Sequence, residues 1–303
     1  MDATAILYGL PRPDVAAAPR GAVQTSPLMP GSSALETIAD AAVGEAVVLA
    51  PPGTLERDAV LAHALRALRP GGRLTALAAK DKGGARLRKV LEAFGCKVDE
   101  TSRRHHRICA CARPDAPTGL DAAIAAGAVR RDPNLGLWTQ PGVFSWDRID
   151  PGTALLLKHL PAMQGRGADL GCGIGLLGGK VLEATTVSSL ALVDLDRRAV
   201  DAARRNVVDP RAVFAWADVR QPGALPSDLD FVVMNPPFHA AGAEDQSLGA
   251  GFIAVAAGAL KRGGRCWLVA NRHLPYEAPL RAAFAAVSLL AEGDGYKVYE
   301  ARR

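Results

Sequence analysis

The chain contains a degraded copy of part of itself. Ala46-Val47-Val48-Leu49-Ala50-Pro51-Pro52 matches Phe231-Val232-Val233-Met234-Asn235-Pro236-Pro237. Leu68-Arg69-Pro70-Gly71-Gly72-Arg73 matches Leu260-Lys261-Arg262-Gly263-Gly264-Arg265, and His106-Arg107-Ile108-Cys109 matches Tyr296-Lys297-Val298-Tyr299. Three matches in one order at a nearly constant separation point to duplication of a single α/β unit. Two tandem domains are therefore expected, residues 1–125 and 126–303. The chain between the copies is rich in breakers: Arg113-Pro114-Asp115-Ala116-Pro117, Arg131-Asp132-Pro133-Asn134 and Gln140-Pro141-Gly142, with a short helix predicted over Gly119–Ala128. The copies differ where chemistry would sit. The first has Ala50 where the second has Asn235, and only 45 residues precede Ala46, too few for a nucleotide-binding half. The first copy reads as a catalytically dead relative of the second.

In the second copy the pattern alternates strand and helix. Strands are predicted over Gly167–Leu170, Ser189–Val193, Val213–Ala217 and Asp230–Met234. Helices are predicted over Gly152–His159, Leu176–Glu183 and Arg197–Asn206, the last from Ala199, Val200, Ala203 and Val207 at helical spacing. Such alternation implies an α/β fold with a mostly parallel twisted sheet of Rossmann-like type, helices on both faces. Ligands of such sheets bind at the carboxyl ends of the strands. Asp169, Asp194, Asp218 and Asn235 all fall at or near those ends.

Composition sets outer limits. Hydrophobic residues make up 49% of the 303 and charged residues 22%, enough to bury a core and too apolar for a disordered chain. No apolar run reaches the roughly 18 residues of a membrane span, and the N-terminus lacks the layout of a signal peptide. The five cysteines are odd in number and sit in apolar, strand-like segments, which suits a reducing cytoplasm. Cys109 and Cys111 read as two thiols on one strand face, and no metal site is expected. Between Lys80 and Arg113 there are ten basic and four acidic residues, including Arg103-Arg104-His105-His106-Arg107. This is either a solvated helix face and hairpin or a patch that contacts phosphates.

Four segments carry chemistry. Asp169-Leu170-Gly171-Cys172-Gly173-Ile174-Gly175 is a glycine turn after a strand, which brings backbone N–H groups close to a ligand. A GxGxG alone is equally a dinucleotide loop. The carboxylate two residues before the first glycine would repel a pyrophosphate and suits a cationic ligand bearing an ammonium and a sulfonium, hence S-adenosyl-L-methionine. Asp194 can accept both hydrogens of a ribose diol. Asp196 fits better as the N-cap of the next helix. Asp218 can accept from an adenine amino group, or be a turn residue before Gln221-Pro222-Gly223. Asn235-Pro236-Pro237-Phe238 is the most specific signal. A ring-bound amino group is a poor nucleophile because its lone pair is delocalised. The Asn235 side-chain oxygen and the Pro236 carbonyl can each accept one of its N–H bonds and aim the nitrogen at an electrophilic methyl. The two prolines stiffen the loop, and Phe238 offers a stacking face.

These segments resemble class I methyltransferases with an Asn-Pro-Pro-[Phe/Tyr] motif. More closely, the chain resembles the bacterial ribosomal RNA guanine-N2 methyltransferases, the small-subunit methyltransferase C family and its large-subunit relative. Gln140-Pro141-Gly142-Val143-Phe144-Ser145, then Asp150 and Gly152, support the resemblance. So do the Phe238-His239 ending, Val269-Ala270-Asn271 with Leu274-Pro275-Tyr276, and Tyr296-Lys297-Val298-Tyr299. The resemblance covers nearly the whole chain and implies a degenerate N-terminal methyltransferase-like domain that supports the active one and grips RNA. It implies that Asp169, Gly171, Cys172, Gly173, Gly175, Asp194 and Asp218 hold the cofactor, with Asn235 beside it. It further implies that Asn235, Pro236, Pro237, Phe238 and His239 hold a flipped guanine, with Phe144 and Ser145 closing one side. The expected partner is ribosomal RNA or a ribosomal subunit, 16S type, met by a cytoplasmic monomer or weak homodimer. Rival readings are a methyltransferase for a protein glutamine amide, one for adenine N6, or a cofactor-binding assembly factor without turnover.

Overall fold

The computed structural model describes residues 4–303 except 238, 241, 242 and 245, with side chains described outside 238–246. The chain forms two compact units. One comprises the residues up to Val129 with Gln140–Gly142, and the other Arg130–Thr139 with Val143–Arg303.

The first unit holds β1 (Ala5–Tyr8), β2 (Ala22–Gln24), β3 (Val43–Leu49), α1 (Thr54–Ala67), β4 (Leu68–Ala79), α2 (Leu87–Ala93), β5 (Asp99–Arg103), β6 (His106–Ala112) and α3 (Leu120–Gly127). Its sheet runs β2-β1-β3-β4-β6-β5, with the first four strands parallel and the last two antiparallel. The core gathers Ile6, Ala46, Val48, Leu61, Leu65, Leu74 and Ala76. Cys109 and Cys111 lie two apart on β6, both buried, and all five cysteines are free thiols.

The second unit opens with β7 (Arg130–Arg131) and β8 (Trp138–Thr139), then α4 (Pro151–His159), β9 (Gly165–Leu170), α5 (Leu176–Leu182), β10 (Val187–Asp194), α6 (Arg197–Asn206), β11 (Ala212–Trp216) and β12 (Leu229–Met234). A two-residue pair follows, β13 (His239–Ala240) and β14 (Ala243–Glu244), then α7 (Gln246–Ala259), β15 (Leu260–Asn271), α8 (Glu277–Ala283), β16 (Ala286–Gly293) and β17 (Tyr296–Arg302). The sheet order is β11-β10-β9-β12-β15-β17-β16, parallel from β11 to β15 and antiparallel beyond. The second half of β12 is apolar on both faces because helices cover both; Val232, Val233 and Met234 are fully buried. α6 turns Ala199, Val200, Ala202 and Ala203 inward, and the Asp196 side chain caps it by accepting from the Arg198 N–H. From β9 the chain steps outward through β10 and β11, then returns to place β12 on the other side of β9. The strand order reverses there, and the crevice of such a sheet opens at that point.

The first sheet reproduces the order of the second with one edge strand missing. β1, β3, β4, β6 and β5 take the places of β9, β12, β15, β17 and β16. Even an irregularity recurs: the ladder steps from Val43–Leu68 to Glu45–Arg73 in one unit and from Leu229–Leu260 to Phe231–Arg265 in the other. Residues 9–21 between β1 and β2 form no helix, and residues 25–42 between β2 and β3 hold only a short 3-10 turn at Leu35–Thr37, so among the described residues the first unit lacks counterparts of α5 and α6. One detail of the repeat is corrected. Val48 pairs with Ala76 as Met234 pairs with Leu268, so Leu49, the last residue of β3, and not Ala50 stands where Asn235 follows β12. Aligning the prolines slid the match by one residue, because the first copy runs one residue further in its strand.

Among the described residues no helix is long and apolar enough to cross a membrane.

Candidate active site at the carboxyl edge of the second sheet

The turn after β9 needs its glycines for conformation. Gly171, Gly173 and Gly175 have φ of 71°, 53° and 90°, the left-handed region that a Cβ disfavours. The N–H groups of Gly171 and Cys172 donate to the Val193 carbonyl, at 2.8 and 3.1 Å, which ties the start of the turn to β10. Asn206 ties down the rest. Its Nδ2 donates to the carbonyls of Ile174 and Trp138, and its Oδ1 accepts the Trp138 N–H at 2.7 Å. One amide on α6 thus joins the turn to the β7–β8 segment that leads to Phe144.

Asp169, next to last in β9, is fully buried, and both carboxylate oxygens lack a hydrogen-bond partner among the described residues. Burial pushes its pKa up to about 8. The nearby Gly178 N–H lowers it, without hydrogen-bond geometry good enough to satisfy either oxygen, and the Asp194 charge adds to the rise. A buried carboxyl with no partner wants a cation. Gly173 offers the complementary feature: a Cβ there would meet nothing within 4 Å. An orphaned carboxyl beneath a turn with open space fits a ligand that carries positive charge and needs close backbone approach, as S-adenosylmethionine does.

Asp194 ends β10. Its Oδ2 accepts the Gly173 N–H and its Oδ1 the Asp196 N–H, both at 2.8 Å. Burial pushes its pKa up to about 6, against the pull of those two N–H groups. Cys172 is buried, and burial followed by the Asp194 and Asp169 charges holds its thiol well above the usual range, so it is no nucleophile.

After β12, Pro236 is buried and Pro237 exposed. The Asn235 side-chain nitrogen donates to Asp150 Oδ2 at 3.0 Å and to Thr153 Oγ1 at 2.8 Å. Asp150 is the N-cap of α4 and accepts the Thr153 N–H at 2.8 Å. A cleft of about 420 Å³, open to solvent, lies between the glycine turn, the start of α4, Phe144 and Asn235. Phe144 is 57% exposed, an unusual aromatic to leave in water, and Ser145 beside it is held at φ 49°.

The structure brings Phe144, Ser145, Gly171, Cys172, Gly173 and Asn235 to the walls of this cleft. Asp169 and Asp194 stand behind the turn. Asp218 is not among the lining residues, and its carboxylate is taken by Arg220 through Nε at 2.9 Å and Nη2 at 2.8 Å. That pairing holds its pKa below the usual range. Its carbonyl also accepts the Gln221 N–H, as a turn residue's would. Phe238 lies outside the described residues. His239 is described only by its backbone, which pairs with Glu244. Reading the motifs missed Asp150 and Thr153 as parts of the site. Asp-Pro before a helix signals a cap, and nothing in its spacing announces a partner 85 residues away.

Residues 134–300 match the methyltransferase small domain family. The ribosomal RNA small subunit methyltransferase C of Pseudomonas paraeruginosa strain PA7 is 34% identical over 282 residues, covering 90% of this chain and 84% of the relative. The protein of the same name from Pseudomonas putida strain W619 is 33% identical over 263 residues, covering 86% and 80%. Among solved structures, the T. thermophilus 16S rRNA N2 methyltransferase (RsmC) in complex with AdoMet and guanosine superimposes with a TM-score of 0.74 at 28% identity, covering 89% of this chain and 75% of that one. Agreement of this breadth, spanning both units and the glycine turn alike, means that the chain belongs to the ribosomal RNA small subunit methyltransferase C family.

Proposed function

We propose that this chain transfers the methyl group of S-adenosylmethionine to the exocyclic N2 amine of a guanine in small-subunit ribosomal RNA. The family and the guanosine-bound relative support the substrate class. The observation that carries the assignment of roles is the orientation of Asn235. With Nδ2 engaged by Asp150 and Thr153, Oδ1 is the atom left to accept from a ligand in the cleft.

When bound, the cofactor supplies a methyl group on a sulfonium. The rest falls to the protein. Asn235 Oδ1 and the Pro236 carbonyl accept the two N–H bonds of the amine and direct its lone pair. Phe144 covers one face of the base, with Phe238, Pro237 and His239 assigned to the other. Gly171, Cys172, Gly173 and Gly175 allow close approach of the backbone, Asp169 supplies negative charge beneath it, and Asp194 accepts from the ribose diol. Asp218 is assigned the adenine amino group, an exchange that requires Arg220 to release the carboxylate. The first unit is assigned support of the second and contact with RNA.

Asn235→Ala tests the reading. Cofactor binding by calorimetry should persist, while tritiated-methyl transfer into small-subunit RNA falls roughly 10²–10³-fold. A mutant rate equal to wild type would refute the role. Mass spectrometry of the modified RNA should yield N2-methylguanosine; N6-methyladenosine would move the substrate to adenine.

A further inference from the structure

We infer that Asp150 and Thr153 are positioning residues that fix which end of the Asn235 amide faces the cleft, and so make the site select an amino group. The inference rests on Asn235 being the acceptor for that amine.

An asparagine side chain is nearly symmetric in shape, and a half-turn exchanges its acceptor for a donor. An Nδ2 aimed into the cleft would repel a substrate N–H and welcome a carbonyl. Something must forbid that rotation, and Asp150 does so by chemistry. A carboxylate has no proton to give, so only the NH2 end of Asn235 can bond Oδ2. Thr153 could offer either polarity, but its hydroxyl lies 3.3 Å from the same Oδ2 and its proton goes there. Its lone pairs are thereby turned to Asn235 Nδ2 at 2.8 Å. Both hydrogens of Nδ2 are engaged, and the flipped amide would lose both bonds and face a carboxylate with its own oxygen.

The support extends one layer further. Asp150 and Thr153 are buried, which strengthens these bonds. The Tyr296 phenol faces the same carboxylate, and burial followed by that charge raises the phenol's pKa. Tyr296 lies against Gly152, where a Cβ would meet its ring at 2.7 Å. The start of α4, the residue after β12 and the start of β17 thus converge on one carboxyl group.

The variants must separate this role from helix capping. Serine caps about as well as aspartate does, so Asp150→Ser keeps an oxygen for the Thr153 N–H while replacing the proton-free carboxylate with a hydroxyl that can donate or accept, and Thr153→Val keeps shape. Each should lower kcat roughly 10- to 100-fold, with the KM for S-adenosylmethionine within about threefold and little change in Tm. The decisive experiment is a polarity swap. Asn235→Asp alone sets two carboxylates against each other. Asp150→Asn with Asn235→Asp restores one amide and one carboxylate and should recover at least about tenfold over Asn235→Asp. Effects that simply multiply, or wild-type kcat in Asp150→Ser and Thr153→Val while Asn235→Ala is dead, would overturn the inference. Full activity in Asn235→Ala would instead overturn the role of Asn235 itself.

Discussion

The Gly173 N–H donates to Asp194 Oδ2 at 2.8 Å, so the carboxylate that ends β10 also holds the turn that follows β9. Its other oxygen accepts the Asp196 N–H at the mouth of α6. Asp194→Ala strands both donors, each at a cost of about 1–3 kcal/mol. We expect Tm to drop by several degrees and S-adenosylmethionine binding to weaken about a hundredfold by calorimetry. A loss of affinity without any loss of Tm would mean that Asp194 touches the ligand alone and does not organise the turn.

Asp169 makes the ligand-free protein sensitive to alkali. Its folded pKa is raised from 3.8 to about 8, so the folded state holds a proton that the unfolded state has released. The stability it contributes is fully present below about pH 4 and is lost as pH rises through 8. Thermal melts from pH 5 to pH 9 should therefore fall more steeply for wild type than for Asp169→Asn. A bound cation favours the charged carboxylate, so saturating S-adenosylmethionine should flatten the wild-type slope. Binding at pH 7 should release a proton, readable from calorimetry in buffers of different ionisation enthalpy. Equal slopes in the two proteins would remove Asp169 from this role.

Two glycines of the same turn should fail in different ways. A Cβ on Gly173 meets nothing within 4 Å, whereas one on Gly175 meets Val207 at 2.8 Å and Ala203 at 3.3 Å. Gly173→Ala should fold, at about 1 kcal/mol for its left-handed φ, and lose ligand affinity because its methyl enters the ligand's space. Gly175→Ala adds overpacking of about 1–3 kcal/mol and should lower Tm further. Melts and titrations on the pair would expose a reversal of this order.

The hairpin between β5 and β6 turns through Arg104 and His105, both at positive φ. Two of its arginines already face carboxylates: Arg104 meets Asp14 at 3.3 Å and Arg107 meets Glu100 at 2.7 Å. Arg103→Gln should lower the slope of log affinity for RNA against log salt by about 0.7–0.9, the share of one phosphate contact. The changes at Arg104 and Arg107 should each give less. Salt titrations by fluorescence anisotropy measure this, and an unchanged slope in the triple variant would exclude the hairpin from the RNA surface.

The parts of the site legible in the sequence are those governed by local rules. A glycine turn after an apolar run and acidic residues at strand ends become neighbours automatically, because parallel strands put all their carboxyl ends on one edge. The ring of contacts around Asp150 was opaque for the opposite reason. Its helix cap is satisfied within three residues, and the contact to Asn235 exists only once α4 has docked near the end of β12. The engagement of Asp218 by Arg220 was local yet still invisible, because a turn residue and a ligand acceptor look alike until the side chain two positions on chooses where to lie. Repeat matching found the duplication and misjudged it by one residue, since it follows residue identities while the ladder follows backbone pairing.

That one-residue offset bears on what the first unit could ever become again. Reverting Ala50 to asparagine would set an amide one step past the place where Asn235 stands, and side chains one step apart along extended chain point to opposite sides. Even an amide at 49 would face a helix-free link, residues 9–21, where the second unit has its glycine turn and α5. Without that half of the fold, no point mutation in the first unit would set a second methyl-transfer centre against the one in the second unit.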